Sequence, residues 1–286
     1  MNQIENLHNV IDEIDKISDS DWMNDLEDRK LKELEFHDRD RKKMGSDNQV
    51  SENDAGDTFE KFYGNKKYYQ IVHRSNAYVH DWIAREAKGK VFLDYACGNG
   101  ANARHAAKSG AELSLGFDIS GVSVNNAKQF AAEEGVRNIR FFQADAENTK
   151  LPDSSIDIII CSGMLHHLDL SYAMPELRRI LRPGGKLLAV EALDYNPAIK
   201  LYRMITPAMR TDWEKAHILS LKDITFAKRF FSLGDVRHWH VIGYIAGKFS
   251  FLRPITDFID RFLEKIPGVR LMSWIFTFEL IKEDKS

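Results

Sequence analysis

Short apolar runs recur through the middle of the chain, at 90–95, 113–117, 139–143, 156–161 and 186–191. Runs of this length bounded by turn residues predict strands buried on both faces. Helix-like segments lie between them, at about 101–109, 120–134 and 172–181. Strand–helix alternation predicts right-handed crossovers and a parallel sheet with helices on both faces. "LRPGGKLLAVE", 181–191, supplies a Pro-Gly-Gly turn into the fifth strand. After residue 192 the pattern loosens. Residues 197–231 read as mainly helical, "VRHWHVIGY" (236–244) alternates like a strand, "DFIDRFLEKI" (257–266) is an amphipathic helix, and "LMSWIFTFELIK" (271–282) is a closing apolar strand. The last two strands bring the expected sheet to seven.

Before residue 60 the pattern differs. Ile4, Leu7, Ile11 and Ile14, then Leu26, Leu31 and Leu34, recur at rough helical spacing and predict one or two amphipathic helices over 4–44. "GSDNQVSENDAGD", 45–57, is polar and turn-rich and reads as a linker. A helical pattern resumes over 59–87, carrying Phe59, Phe62, Tyr63, Tyr68, Tyr69, Tyr78 and Trp82. Charge separates the same regions. Residues 1–60 hold 18 acidic and 8 basic side chains, a net of −10, and the remainder holds 25 and 32, a net of +7. The sum of −3 offers no field for a polyanion. The expectation is an acidic, solvated N-terminal arm, 1–58, on an enzyme body.

Composition narrows the class. The chain of 286 residues is 43% hydrophobic and 29% charged, as expected for a globular protein. The two cysteines, Cys97 and Cys161, sit in apolar strand-end contexts, which argues against a disulfide framework or a zinc site. The start "MNQIENLHNVIDEIDKI" lacks a cationic, then apolar, signal pattern. No run approaches the roughly 18 apolar residues of a membrane span. A cytoplasmic location is expected.

The chemistry concentrates in "VFLDYACGNGANARHAA", 91–107. Gly98-x-Gly100-x-x-Ala103 satisfies the dinucleotide fingerprint, and Asp118 lies at the distance past Gly98 where an NAD-binding acid is expected. Asp94 argues against a pyrophosphate. It sits at the mouth of the same turn, where a phosphate requires backbone N–H groups clear of carboxylates. A nucleoside carrying a cation and no phosphate suits it, and S-adenosylmethionine (SAM) is such a ligand. Asp118 closes the second strand in "LGFDIS" and can accept both ribose hydroxyls. Asp145 follows the third strand in "FFQADAEN" and can meet the adenine amino group beside Ala146. Three acids ending successive strands lie on the ligand edge of an open α/β sheet. For Asp118, followed by Ser120, helix capping is a competing role.

With these segments, and with "FFQADAENTKLPDSSIDIIICSGMLHHL" and "ELRRILRPGGKLLAVE", residues 88–195 resemble the class I SAM-dependent methyltransferases, most closely those acting on small molecules. The resemblance implies an α/β fold: a seven-stranded, mostly parallel Rossmann-like sheet with helices on both faces, a helical N-terminal arm and helical insertions over the acceptor side. It divides 59–286 into lid helices (59–87), a SAM-binding core (88–195) and acceptor-side helices with the final strands (196–286). Asp94, Ala96, Gly98 and Gly100 are expected at the methionine part of SAM, Asp118 and Ile119 at the ribose, Asp145 and Ala146 at the adenine, with Ser162 beside them. Many relatives carry glycine where this chain has Ala96, which predicts a slightly altered turn. The lid segment places Tyr68 and Tyr69 at the cofactor, where aromatic faces favour cations.

The methyl acceptor is less specified. His166 and His167, in the loop after the fourth strand, are the candidate general bases; structural packing is the competing role. No metal is expected, because adjacent histidines rarely both point inward and the neighbouring acid is Asp169 alone. Tyr63, Arg203, Arg210, Glu214 and His217 are candidates for reading a polar acceptor, Glu214 and His217 sharing a helix face at i and i+3. His238 and His240 are expected on one strand face with Trp239 opposite. The expected activity is methyl transfer from SAM to oxygen or nitrogen of a natural product, sugar or similar metabolite. Alternatives are a lipid or quinone acceptor at a membrane surface, with peripheral membrane contact, and a non-catalytic partner protein on the same fold. An NAD-linked oxidoreductase is disfavoured by Asp94 and Asp145. Nucleic-acid methylation is disfavoured by the absence of an N/D-P-P-Y/F motif after the fourth strand. A homodimer is left open.

Overall fold

The computed structural model describes residues 2–41 and 72–284. Its centre is one seven-stranded sheet of β1 (Val91–Tyr95), β2 (Leu113–Asp118), β3 (Ile139–Gln143), β4 (Ile156–Ser162), β5 (Leu181–Ala192), β6 (Ser232–Trp239) and β7 (Ile275–Ile281). Their spatial order is β3-β2-β1-β4-β5-β7-β6. The first five are parallel, and β7 runs antiparallel to both β5 and β6. The expected seven-stranded, mostly parallel sheet is thus the observed one.

Alternation along β1 separates two cores. Val91, Leu93 and Tyr95 join the larger one with Leu115, Phe117 and Phe142, covered by Met174 and Leu177. Phe92 joins the other, with Val79, Trp82 and Ile83. The first core also contains Leu7 and Ile11, which have no exposed surface. They belong to α1 (Gln3–Ile14), whose start is fixed by a reciprocal cap between Asn2 and Glu5. Arg140 on β3 pairs with Asp12 at 2.8 Å. The acidic segment therefore begins as a covering layer of the sheet, because its apolar stripe is continuous enough to be buried. Two further helices follow, α2 (Asp19–Asn24) and α3 (Asp28–Arg41). The linker read at 45–57, the boundary at 58, and Tyr63, Tyr68 and Tyr69 lie outside the described residues. Of the helical pattern expected over 59–87, residues 59–71 lie outside the described residues and His73–Glu86 forms α4.

The other α-helices among the described residues are α5 (Ala101–Lys108), α6 (Gly121–Glu133), α7 (Leu170–Ile180), α8 (Pro197–Ile205), α9 (Asp212–Ala216), α10 (Leu221–Ala227), α11 (Ile245–Lys248) and α12 (Arg253–Leu263). Two boundaries differ instructively from the sequence pattern. The strand expected over 236–244 ends at Trp239, because His240 adopts a left-handed φ of 63°. His238 and His240 therefore do not share a strand face. The His240 ring is buried, its Nε2 lies 3.1 Å from the Ser75 hydroxyl, and burial together with Arg74 and His73 pushes its pKa down to about 3. The closing strand starts at Ile275, after a 3₁₀ turn over Val269–Met272.

The turn between β1 and α5 fixes the site. Gly100 has φ 74°, and the Phe141 ring lies where a Cβ would project, 2.5 Å from that position. Ala96 also sits in the left-handed region, at φ 56°. An L-residue held in that region costs about 1–2 kcal/mol. Two opposite outcomes are expected in urea unfolding. Gly100→Ala lowers stability by about 2–4 kcal/mol, from backbone strain plus overlap with Phe141. Ala96→Gly raises it by about 1 kcal/mol. An unchanged midpoint in either variant contradicts this account of the turn.

Candidate functional site

The parallel strands end along one edge, and their terminal residues build the site. Asp94, second from the end of β1, is 2% exposed, and its Oδ2 accepts the Ala103 N–H at 3.1 Å at the start of α5. Burial pushes its pKa up to about 7, with the Asp118 charge adding to that, against the hydrogen bonds from Ala103 and Asn102. Asp118, the last residue of β2, accepts the Gly98 N–H at 2.8 Å and the Ser120 N–H at 3.0 Å. It thereby ties the glycine turn of β1 to its own strand. The capping of α6 falls to Ser120, whose hydroxyl accepts the Ser123 N–H at 3.0 Å. Beyond β3, the Asp145 Oδ1 accepts the Glu147 N–H at 2.9 Å. The buried Tyr95 hydroxyl donates to the Ala146 carbonyl and fixes the next residue.

A cavity of about 90 Å³ lies on this edge. Ala96, Asp118, Ile119, Asp145, Ala146 and Ser162 line it together, six of the residues that the sequence assigns to the cofactor. Asp94, Gly98 and Gly100 do not line it; they lie buried in the turn that forms its wall.

Sequence reasoning misses the roof. Helix α3 lies over the strand ends and contributes Arg29, Lys30, Glu33 and His37 to the same cavity. Lys30 Nζ is 2.7 Å from Asp145 and 2.9 Å from Glu147, and Arg29 donates to Glu147 at 2.6 Å. Glu33 meets His167 Nδ1 at 2.9 Å and accepts from the Thr211 hydroxyl. The Ser120 hydroxyl donates to Asp38. Burial works against the Glu33 charge, but His167 and Thr211 hold its pKa below the ordinary value. The i, i+4 spacing of Glu33 and His37 is the available sequence signal, and the surrounding charge disguises it as part of a solvated arm. Pockets for drug-sized ligands measure about 300 Å³ or more. With α3 in this place the cavity is narrower than such a pocket.

A second cavity, of about 370 Å³, lies on the other side of the loop after β4. His166, Arg203, Arg210 and Glu214 form its polar lining, against Ile199, Ile218, Ile245, Phe249 and Trp274. His217 is not among them. Helix α9 stops at Ala216, and the His217 ring stacks on Trp213 at 3.8 Å. Glu214 instead approaches Arg210, at 3.4 Å. Arg203 reaches Asp194 at 3.3 Å.

His166 and His167 form the wall between the two cavities, their rings 4.3 Å apart. Both are drawn inward, each to a carboxylate distant in sequence. His166 Nδ1 is 2.6 Å from Glu191 Oε2. Glu191 Oε1 accepts the N–H groups of Met164, at 2.9 Å, and Leu165, at 2.7 Å. Asp169, the acid nearest the histidines in sequence, is the N-cap of α7. Burial disfavours charge on His166, but Glu191 and then Glu214 outweigh it and raise its pKa. Glu191 escapes sequence reasoning because an acid closing "LLAVE" carries no local sign of a partner on the preceding loop. Two sets of potential metal ligands, Glu33–His37–His167 and His166–His167–Glu214, each lie within 4.8 Å. Glu33 and Glu191 already engage His167 and His166.

Comparison with known proteins bears on the same segment. The profile of a methyltransferase domain family matches residues 93–189. An uncharacterized methyltransferase of Bacillus subtilis, YcgJ, is 41% identical over 78 residues, which are 27% of this chain and 31% of that protein. A ubiquinone biosynthesis O-methyltransferase of Acinetobacter baylyi is 28% identical over 150 residues, 51% of this chain and 62% of that one. The alignments thus span about a third and three fifths of these relatives. Among solved structures, a phosphoethanolamine N-methyltransferase 2 of Haemonchus contortus, holding S-adenosylhomocysteine, superposes with a TM-score of 0.54 at 18% identity, covering 77% of this chain and 57% of that one. Residues 93–189 thus match a methyltransferase domain, and the strand-end acids and strand order of this chain lie within and around that matched segment.

Proposed function

We propose that this protein transfers a methyl group from SAM to an oxygen or nitrogen of a small amphipathic acceptor held in the larger cavity, of about 370 Å³. The observation that carries this reading is the shared wall. The loop after β4 presents Ser162, Met164 and His167 to the nucleoside cavity and His166 to the other one. A donor on one side and an acceptor on the other meet at that loop.

The residues fit such a donor. Asp118 and Asp145 offer carboxylates to the ribose and the adenine, and Asp94 places negative charge behind the glycine turn. When bound, SAM supplies a methyl group already activated on a sulfonium. The chain's part is to align the acceptor, exclude water and receive a proton. Aligning falls to Arg203, Arg210 and Glu214 at the polar end of the cavity. Receiving the proton falls to His166: Glu191 holds its Nδ1, so Nε2 is the nitrogen left for the acceptor. The polar end and apolar remainder of the cavity favour an acceptor with one polar head on an apolar body over a sugar. The Acinetobacter baylyi relative, named for ubiquinone biosynthesis, is consistent with that chemistry.

Three outcomes are expected. Asp94 carries its charge above about pH 7 and loses it below, so SAM affinity falls as pH drops, by about tenfold one unit below that value. Calorimetry across pH checks this, and Asp94→Asn is expected to flatten the dependence and weaken binding throughout. With labelled methyl donor at saturation and a panel of alkyl-substituted phenols and amines, His166→Ala is expected to lower turnover about 100-fold or more. A rate unchanged by His166→Ala removes it as the base. Since only neutral His166 accepts a proton and its pKa is raised, turnover is expected to rise with pH through a midpoint above 6.5. Glu191→Gln keeps an acceptor for the loop N–H groups and is expected to move that midpoint down.

A further inference from the structure

Helix α12 is mounted with its polar side inward. Thr256 and Asp260 are buried, and Asp260 accepts the Ile242 N–H at 2.9 Å. Asp257 pairs with His73 at 2.9 Å, and Glu264, just past the helix, with Arg74 at 2.7 Å. The opposite side carries Ile255, Phe258, Ile259 and Phe262, at i, i+3, i+4 and i+7, continued by Ile266; all are exposed, Phe258 at 65%. A surface helix of a water-soluble protein shows the reverse arrangement. Helix α8 repeats the feature with exposed Leu201, Met204 and Ile205, Met204 at 76%. Just before α12, Phe251 is 75% exposed. Isolated exposed apolar residues are ordinary, but a stripe of five along one helix and just past its end marks an interaction surface.

Two observations identify what covers it. The first is charge. Asp257, Asp260 and Glu264 are turned toward the protein and engaged there, whereas Arg261 and Lys265 of the same segment are exposed. The excess of acid in the chain lies in residues 1–60, whose first helix packs against β3 at the far edge of the sheet. The surface offers apolar side chains within a cationic border, the pattern of a helix lying in a lipid interface. The second is continuity with the acceptor cavity. Ile245 and Phe249 line that cavity and are themselves exposed, and the Phe249 ring contacts Phe251 edge-on at 6.3 Å. Ala198, Ile199 and Tyr202 of α8 line its other side. The apolar surface thus adjoins the cavity through Phe249 and Phe251.

We propose that the face formed by α8, residues 249–251 and α12 docks on an anionic phospholipid bilayer, so that the acceptor reaches the cavity from the membrane. The second half of this statement rests on the larger cavity being the acceptor site; the docking does not. Among the described residues no helix is long and apolar enough to cross a membrane, so contact is interfacial.

The test is co-sedimentation of the full chain with vesicles of phosphatidylcholine alone and of phosphatidylcholine mixed with phosphatidylglycerol. Binding to the mixed vesicles is expected to be stronger and to weaken with salt. Phe258→Ser with Phe262→Ser is expected to reduce partitioning at least tenfold. Arg261→Glu with Lys265→Glu is expected to reduce it about tenfold on the mixed vesicles only. S-adenosylhomocysteine calorimetry on every variant shows that each remains folded. Absence of binding to either vesicle, or variants that bind like the parent, overturns the proposal. So does a dimer in light scattering that Phe258→Ser with Phe262→Ser converts to monomer, which assigns the face to a second copy. Loss of S-adenosylhomocysteine binding by the parent chain overturns the methyl-donor reading and leaves the docking result standing.

Discussion

One buried carboxylate organises the site. Glu191, next to last in β5, is 1% exposed and uses both oxygens. One oxygen receives two consecutive backbone N–H groups of the loop after β4; the other receives His166. A buried acid without such partners costs several kcal/mol. The loop therefore cannot move without leaving the charge unsatisfied. That constraint holds the partition between the two cavities in one place. It also sets the protonation behaviour of the histidine that faces the larger cavity.

Much of this is legible in the sequence, and the reason is local. Five parallel strands write themselves as short, mainly apolar runs, and the glycine turn is recognisable because its residues are contiguous. Asp94, Asp118 and Asp145 can be placed because each sits at a strand end, and parallel order brings strand ends to one edge. What stays hidden depends on distance along the chain. Glu191 meets His166 only because β5 lies beside β4 in the sheet. Glu33 meets a histidine 134 residues later. Neither partner changes the periodicity of its own element. His217 departs from expectation for a smaller reason: its helix ends before reaching it, which releases the side chain from the face it would share with Glu214. His240 leaves the strand because a buried ring and a left-handed φ take precedence over alternation.

The N-terminal segment changes character once seen in place. Its composition is that of a solvated arm, yet Leu7 and Ile11 are as buried as any strand residue, and α3 sets its charges on those of the strand ends. Opposite charges in the segment and in the site it covers explain why so acidic a stretch carries Arg29 and Lys30 where it does. Net charge describes the arm; the positions of a few exceptions to it describe its contacts.

The inverted mounting of α12 separates two free energies that most helices tie together. Ordinarily the apolar stripe that a helix presents is the stripe that holds the fold, and altering one alters the other. Here attachment resides in ion pairs and hydrogen bonds on the inner side, and the outer aromatics contribute nothing to the core. Substitutions at Phe258 or Phe262 are therefore nearly neutral for folding. The surface can be retuned, one side chain at a time, without passing through an unfolded intermediate in sequence space.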